Sequence, residues 1–213
     1  MIVTIVGSGR MARGIAIRAL VGGNAVRLTD HNPAKAQTLA NELGQVVKGA
    51  NVEATGPGGV AGVDLVVMAV PYPAGRDVAA SLGDELSGAV VVDISNPVDF
   101  STFDSLAVPP GTSAAEEIAA AASSARVVKA FNTTFAGTLI GGKVAGQPLD
   151  VFIAGDDEAA KATVVELVRS GGMRPLDVGP LRRARELEAF QFLHMAAQER
   201  LDLNFSSAIK ILP

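Results

Sequence analysis

The sequence predicts a doubly wound α/β fold, with a mainly parallel sheet and a short helical extension at the C-terminus. Short runs rich in Val and Ile, bounded by Gly, Pro, Asn or Asp, alternate along the 213 residues with longer Ala-rich segments of helical character. Most of the short runs are apolar throughout, which is typical of parallel strands covered by helices on both faces. Strands and helices that alternate in this way form an open sheet with helices on each side.

Eight strands are predicted from β-branched content and flanking turn residues: Ile2–Val6, Ala25–Thr29, Asn51–Ala54, Asp64–Ala69, Ala89–Ile94, Arg126–Ala130, Asp150–Ala154 and Arg174–Asp177. Six helices are predicted between and after them: Arg10–Leu20, Pro33–Leu43, Pro73–Leu82, Ala114–Ala122, Asp156–Ser170 and a long one near Leu181–Leu201. Asn32 followed by Pro33 supports the start of the second helix, because a capping side chain before a proline at the first helical position is a common helix start.

The domain prediction is a dinucleotide-binding domain over residues 1–180 with a helical extension over 181–213 packed on it. In the extension, Leu187, Phe190, His194, Ala197 and Leu201 recur at spacings of three and four, which makes a mainly apolar stripe on one helix face. We expect this stripe to be core or a homodimer interface, and His194 to be a structural histidine rather than a substrate contact.

Composition excludes several classes of protein. The chain is 48% hydrophobic, 19% charged and 4% aromatic, with a net charge of −4, so nucleic acid and anionic membrane surfaces are improbable partners. It has no cysteine, which removes disulfides, thiolate nucleophiles and Cys-based metal sites. The N-terminal apolar run is too short for a signal peptide, and no apolar stretch approaches the ~20 residues of a membrane span. We therefore expect a cytoplasmic protein with a small-molecule substrate.

The strongest local signal is a glycine-rich turn after the first strand. Val6 is followed by a Gly-x-Gly-x-x-Ala pattern in which Gly7 permits a tight turn, Gly9 lets backbone amides approach a pyrophosphate, and Ala12 allows close helix–strand packing. The positive end of the following helix faces the bound anion. The pattern predicts a Rossmann dinucleotide-binding site.

The end of the second strand leaves the choice of nucleotide open. Asp30 lies 21 positions after Gly9, where an acidic group can accept hydrogen bonds from the 2′-hydroxyl of NAD. Thr29, His31, Asn32 and Lys35 surround it, however, and these side chains could instead hold the 2′-phosphate of NADP. The residues alone therefore predict NADP or NAD.

The ends of the next strands are expected to line the nicotinamide half, because ligands of doubly wound sheets lie outside the carboxyl ends of the strands. These positions carry small, amide or polar residues: Ala69, Val70 and Pro71 after the fourth strand, Asn96 after the fifth, and Lys129, Asn132 and Thr133 around the end of the sixth. Lys129 and Asn132 are the candidate catalytic residues, since they are polar groups that could face a substrate. Tyr72 is a further candidate for the wall of the site. No metal site is predicted.

A series of motifs then resembles a known family. With the glycine loop stand Ala-Val-Pro-Tyr-Pro at 69–73, Asp-Ile-Ser-Asn-Pro at 93–97, Lys-Ala-Phe-Asn-Thr-Thr at 129–134, Ala-Gly-Asp-Asp at 154–157 and Arg-Pro-Leu-Asp-Val-Gly-Pro-Leu at 174–181. Over nearly its whole length the chain resembles the NADPH-dependent coenzyme F420 reductases. It is also similar, in the stretch from Lys129 to Thr133, to the cytoplasmic oxidoreductase domain of membrane ferrireductases.

The resemblance implies roles for particular residues. It implies that Gly7, Ser8, Gly9, Arg10 and Met11 hold the pyrophosphate, that residues 29–35 select the adenosine end, and that residues 69–71 line the nicotinamide half. The chain departs from the family in two places: Asp30-His31-Asn32 stands where the archaeal reductases typically have Ser-Arg-Arg, and Asn132 stands where they have a histidine.

The predicted activity is hydride transfer between NAD(P)H and a deazaflavin or flavin, with coenzyme F420 or a flavin as second substrate. Such a transfer requires stacking and orientation more than a protein acid or base, which suits a chain with few candidate catalytic side chains. Two alternatives stay open. A reductase of a small carbonyl or imine would need a proton donor, for which Lys129 or Tyr72 would serve. A dinucleotide-binding sensor would bind the nucleotide without turnover.

Overall fold

The computed structural model describes residues 1–56 and 58–212, and within them the predicted doubly wound fold is confirmed. The strands are β1 (Ile2–Val6), β2 (Ala25–Thr29), β3 (Val52–Ala54), β4 (Leu65–Met68), β5 (Val90–Asp93), β6 (Arg126–Lys129), β7 (Lys143–Val144), β8 (Gln147–Pro148), β9 (Asp150–Gly155) and β10 (Arg174–Asp177). The α-helices are α1 (Arg10–Val21), α2 (Pro33–Val46), α3 (Ala74–Leu82), α4 (Ala114–Ala121), α5 (Ala136–Gly141), α6 (Glu158–Ser170) and α7 (Ala184–Arg200). Single 3-10 turns cover Gly83–Leu86 and Leu181–Arg183.

The sheet of the described residues has the order β10-β9-β6-β5-β4-β1-β2-β3. From β3 to β6 all neighbours are parallel, whereas β9 is antiparallel to β6 and parallel to β10. The strand order reverses between β1 and β4, and the crevice outside the carboxyl ends of these two strands is where doubly wound folds bind nucleotides.

Both faces of the sheet are covered, because successive strand residues point to opposite sides. Val67 packs in one core cluster with apolar residues of α1, α2 and α6, whereas its neighbours Val66 and Met68 pack in a second cluster with α4 and the end of α3. This explains why β4 is apolar at every position. No helix in the described part of the chain is long and apolar enough to cross a membrane.

Two features between β6 and β9 were not predicted from the sequence. The short helix α5 and the hairpin of β7 and β8 occupy a stretch rich in glycine and threonine that carries no clear period. Gly142 ends α5 in the left-handed conformation, with φ of 68°, and its amide bonds to the carbonyl of Thr138. These elements matter because they form part of the candidate site.

The last helix begins later than predicted and buries a more polar face. Residues 181–183 form a 3-10 turn, and α7 runs from Ala184 to Arg200. Leu187 of the predicted apolar stripe is buried, but Phe190 and Leu201 are exposed, while Glu188, Gln191 and Gln198 are buried. These polar groups are accommodated because each has hydrogen-bond partners inside the protein.

Candidate functional site

The glycine loop has the geometry that its sequence predicts. Gly7 has φ of 110°, a conformation that L side chains rarely adopt, and a side chain there would collide with the carbonyl of Ala69. Its amide donates to the carbonyl of Thr29 at 2.7 Å, which ties the loop to the end of β2. At Gly9, in contrast, the space that a side chain would occupy is open. The loop is therefore packed against the sheet at Gly7 and accessible at Gly9.

The start of α1 is available to an anion. Gly9 is the N-cap residue and has no side chain to accept from the first free amides, and the first turn contains no acidic residue. Amides at the positive end of a helix form a ready-made phosphate site. This arrangement fits the pyrophosphate of a dinucleotide, with Ser8, Gly9, Arg10 and Met11 around it.

Asp30 is held in place at the carboxyl end of β2. Ser8 Oγ donates to Asp30 Oδ2 at 2.6 Å, and the amide of Asn32 donates to Oδ1 at 2.9 Å. Burial by itself would raise the pKa of Asp30, but these two hydrogen bonds and the nearby His31 and Lys35 hold the pKa below its usual value. Asp30 is therefore ionised at neutral pH.

Two cavities lie on either side of the glycine loop, and Arg10 lines both of them. The smaller, of about 460 Å³, lies between α1 and α2 and includes Ser8, Gly9 and Lys35. It is named the adenosine cavity, because Lys35 is one of the residues predicted to face the adenosine. The larger, of about 700 Å³, is named the acceptor cavity after the second substrate that the sequence predicts. Its walls come from the loop, the ends of β5 and β6, α5, the β7–β8 hairpin, α7 and the C-terminal segment: Arg10, Met11, Ile94, Asn96, Thr134, Phe135, Ala136, Gly137, Thr138, Lys143, Val144, Ala145, Gln191, Met195, Asn204, Phe205 and Ser206.

The acceptor cavity has an apolar and aromatic wall with few ionisable groups. The rings of Phe135 and Phe205 meet edge to face with centroids 5.2 Å apart, and His194 lies over Phe135 with centroids 4.6 Å apart. The charged residues that line the cavity are both basic, Arg10 and Lys143. Planar rings and anionic substituents match this wall.

Comparisons with known proteins find relatives of the kind that the sequence motifs predict. The family model for coenzyme F420-dependent NADP oxidoreductases matches residues 2–97. The F420-dependent NADP reductase of Methanocaldococcus jannaschii is 28% identical over 198 residues, which cover 86% of this chain and 85% of that protein. A crystal structure of a protein proposed to be an F420-dependent NADP reductase, from Arthrobacter sp. FB24, superposes with a TM-score of 0.82 at 27% identity and covers 99% of both chains. Over most of its length the chain is therefore similar to F420-dependent NADP reductases.

A second group of relatives matches only in part. Metalloreductase STEAP3 of Rattus norvegicus is 36% identical over 187 residues, which cover 88% of this chain. The chain spans 36% of the length of that protein. Both groups of relatives are reductases by name, which supports the assignment of this chain as an oxidoreductase.

Lys129 of this oxidoreductase lies in a closed network rather than in the acceptor cavity. Its Nζ donates to Asp93 Oδ2 at 2.7 Å, to the carbonyl of Ser95 at 2.6 Å and to Glu188 Oε1 at 2.7 Å. Lys129, Asp93 and Glu188 all have 0% exposure. The geometry therefore leaves no proton of Lys129 directed at a substrate, and it ties α7 to the ends of β5 and β6.

Burial and the neighbouring charges shift the pKa values of Lys129 and Glu188 in this network. Desolvation lowers the pKa of Lys129, but the neighbouring Asp93 and Glu188 carboxylates outweigh it, so the pKa is raised. For Glu188 desolvation dominates over the attraction of Lys129 and raises the pKa. The amide of Ala114, at the start of α4, donates to the second oxygen of Glu188 at 3.2 Å.

Asn96 and Asn132 form a pair beside the acceptor cavity. Asn132 Nδ2 donates to Asn96 Oδ1 at 3.0 Å and to the carbonyl of Leu187 at 3.1 Å, and Asn96 Nδ2 donates to the carbonyl of Asn132 at 2.9 Å. Asn96 lines the cavity, while Asn132 is buried behind it. Phe131, next to Asn132, has a positive φ of 61°, an uncommon conformation of the kind found at functional sites.

The other predicted residues are placed as follows. Lys35 lines the adenosine cavity, and His31 is 88% exposed with Nδ1 2.9 Å from Asp30 Oδ1. Thr29 turns away from the loop, because its hydroxyl donates to the carbonyl of Gly56. Residues 69–71 follow β4 at the point where the strand order reverses, but they line neither cavity. Tyr72 is half-buried, and burial and Glu117 raise its pKa.

Sequence reasoning missed most of the acceptor cavity. The residues of α5, the β7–β8 hairpin and the segment 204–206 were not among the candidates, although they line it. The Phe-Asn-Thr-Thr-Phe sequence after β6 could have indicated the aromatic wall of the cavity, since Phe135 directly follows the polar positions at this strand end. Gln191 and Met195 are next to His194, which was singled out; its two ring nitrogens contact Gln191 Oε1 and Ser207 Oγ.

Proposed function

We propose that the chain transfers a hydride between NADPH or NADH and a deazaflavin or flavin that binds in the acceptor cavity. The observation that carries the proposal is that Arg10, at the start of α1, lines both cavities. A dinucleotide with its adenosine next to Lys35 and its pyrophosphate at the start of α1 would direct its nicotinamide into the acceptor cavity. The match to the family model and the similarity to F420-dependent NADP reductases support NADP as the nucleotide and coenzyme F420 as the acceptor.

The chain's own residues would bind and orient both rings. Gly9, Ser8 and Arg10 would hold the pyrophosphate, while Met11, Phe135 and Met195 give the acceptor cavity apolar surfaces against which planar rings can stack. A hydride moves directly from carbon to ring without a protein nucleophile, so the protein contributes proximity, alignment and exclusion of water. Asn96 supplies an amide at the rim for hydrogen bonds to a ring carbonyl or carboxamide.

We also propose that the protein is a cytoplasmic homodimer. Phe190 and Leu193 on α7 are 43% and 66% exposed, and they border an apolar groove with Phe152 and Val178. Apolar side chains that share one exposed face favour association. Light scattering after size exclusion tests this: a dimer is expected for the wild type, and L193K is expected to shift the mass toward that of a monomer.

The decisive experiment for the activity is a stopped-flow reaction of the purified protein. NADPH is mixed in turn with oxidised F420, FMN and riboflavin, and the absorbance of the acceptor is followed. Rapid bleaching of a deazaflavin or flavin is expected. NADPH binding with no reduction of any acceptor would refute the proposal and favour a sensor, whereas NADPH oxidation only with a carbonyl or imine would assign a different substrate.

A matched pair of variants tests where the nucleotide lies. R10Q removes the cation shared by both cavities and is expected to raise the Kd for NADPH about tenfold, since a charge-assisted contact to phosphate contributes about 1.5 kcal/mol. R169Q removes one positive charge from an exposed position on α6 and is expected to leave the Kd unchanged. Equal effects of the two variants would contradict the proposed position.

A further inference from the structure

We propose that Asp30 makes this oxidoreductase accept NADH as readily as NADPH, by placing a carboxylate where the 2′-substituent of the adenosine ribose binds. The inference rests on the proposed nucleotide site and specifies which nucleotide that site selects. It concerns Asp30 and the charged side chains around it.

The position of Asp30 is fixed by the fold. Asp30 directly follows β2, which pairs with β1, so its carboxylate lies beside the glycine loop. The carboxylate is 9% exposed and is held by Ser8 Oγ and the amide of Asn32. An acidic side chain at the end of the second strand, next to the loop that holds the pyrophosphate, is within reach of the ribose hydroxyls.

Charges around the adenosine cavity disfavour an extra phosphate. Arg13 Nε is paired with Glu42 Oε1 at 2.6 Å, and His31 Nδ1 lies 2.9 Å from Asp30 Oδ1. Among the described residues that line this cavity, Arg10 and Lys35 are the cations that form no ion pair, and Arg10 is the one proposed to hold the pyrophosphate. A 2′-phosphate would therefore meet the carboxylates of Asp30 and Glu42 with Lys35 as the unpaired cation left to balance it, whereas a 2′-hydroxyl can donate a hydrogen bond to Asp30.

The Ser8–Asp30 hydrogen bond strengthens the discrimination against a 2′-phosphate. Ser8 is the middle residue of the Gly7–Gly9 turn, and its hydroxyl points to Asp30 rather than toward the phosphate side of the loop. The loop and the carboxylate therefore form one unit, and Asp30 cannot swing away from a 2′-phosphate without losing two hydrogen bonds.

Kinetics and binding of both nucleotides test the inference. The values of kcat/KM and Kd for NADPH and NADH are measured for the wild type, D30N, D30S and E166Q. Glu166 is an exposed residue of α6, so E166Q controls for loss of one negative charge away from both cavities. D30N removes the negative charge but keeps the shape of the side chain and an acceptor oxygen. D30S removes the charge and also shortens the side chain.

We expect the wild-type kcat/KM values for the two nucleotides to lie within about tenfold of each other, because one carboxylate contact changes binding by about 1.4 kcal/mol. D30N and D30S are expected to raise the NADPH-to-NADH ratio at least about tenfold on the same basis, and E166Q to leave it unchanged. A wild type that prefers NADPH by more than this, or variants with a smaller rise, would overturn the inference.

Two further measurements keep the outcome separate from the proposed activity and from folding. If no acceptor is reduced, the proposed function fails, but the ratio of the two Kd values still tests the role of Asp30. If the Asp30 variants do not fold, competition of 5′-AMP and 2′,5′-ADP for the wild type gives the answer. Similar affinities for the two fragments support the inference, and 2′,5′-ADP binding more than about tenfold tighter overturns it.

Discussion

Replacing Lys129 with methionine separates a structural role from a catalytic one. The substitution removes three hydrogen bonds, to Asp93, to the carbonyl of Ser95 and to Glu188, at a site with no exposure to water. It leaves two carboxylates buried at short range with no cation between them. Removal of one partner from a buried ion pair costs about 3–5 kcal/mol, because the remaining charge stays uncompensated.

The expected result is a large loss of stability without a matching loss of chemistry. For a domain of this size a loss of 1 kcal/mol lowers Tm by roughly 2–4 °C, so K129M is expected to lower Tm by about 6–20 °C. Because the pKa of Lys129 is raised above 10.5, the contribution of its charge to stability is complete at neutral pH and is lost as the pH rises from about 10.5 through that elevated value. Thermal unfolding measures the stability, and NADPH turnover at a temperature where K129M is folded measures the chemistry.

K161M provides a matched control. Lys161 is also buried and contacts two carboxylates, but its partners Glu158 and Asp177 are 83% and 45% exposed, so the expected cost is about 1 kcal/mol or less. Adding E188Q to K129M removes one of the stranded charges and is expected to recover part of the lost stability. The reasoning is refuted if K129M keeps the wild-type Tm but loses turnover, since Lys129 would then act on the substrate.

Three other predictions follow from the geometry. G7A is expected to weaken NADPH binding at least about tenfold, because the new methyl group would collide with the Ala69 carbonyl and Gly7 has a positive φ. G44A is the control: Gly44 lies in α2 with open space around it, and the variant should bind NADPH normally. Nucleotide titration monitored by fluorescence measures both affinities. K143Q is expected to raise the KM for FMN about fivefold and leave that for riboflavin unchanged, since Lys143 is a cation on the cavity wall; equal shifts would contradict this. D150N is expected to loosen the C-terminal segment, because burial raises the pKa of Asp150 but its bonds to Arg174, Lys210 and the Ile211 amide lower it to about 2. Hydrogen-exchange protection of residues 201–212, relative to the unfolded chain at the same pH, should fall in D150N, and in the wild type as the pH falls from about 4 toward that value.

The fold was predictable because its signals are local. The glycine loop, the apolar runs and the Asn32-Pro33 helix start each lie within a few residues, and the structure confirms all of them: Asn32 Oδ1, for example, accepts from the amide of Ala34. The reversal of β9 and β10 was not predictable in the same way. Asp150–Gly155 is apolar at nearly every position whether its neighbour is parallel or antiparallel, so the direction of the strand is set by the connection that precedes it.

The acceptor cavity depends on contacts between distant parts of the chain. Phe135 and Phe205 are 70 positions apart in the sequence but in contact, and neither carries a local pattern that marks it as part of a site.

The surroundings of Lys129 also depend on contacts between distant parts of the chain. At the end of a strand, before Phe-Asn-Thr-Thr, a lysine is expected to face a ligand, but β5 and β6 pair so that Asp93 lies directly beside Lys129. Glu188, 59 positions later, approaches the same ammonium from α7. Burial of Lys129 therefore depends on where α7 packs against the sheet. When each element is predicted separately from the sequence, a lysine that contacts a substrate looks the same as a lysine that binds a helix to the sheet.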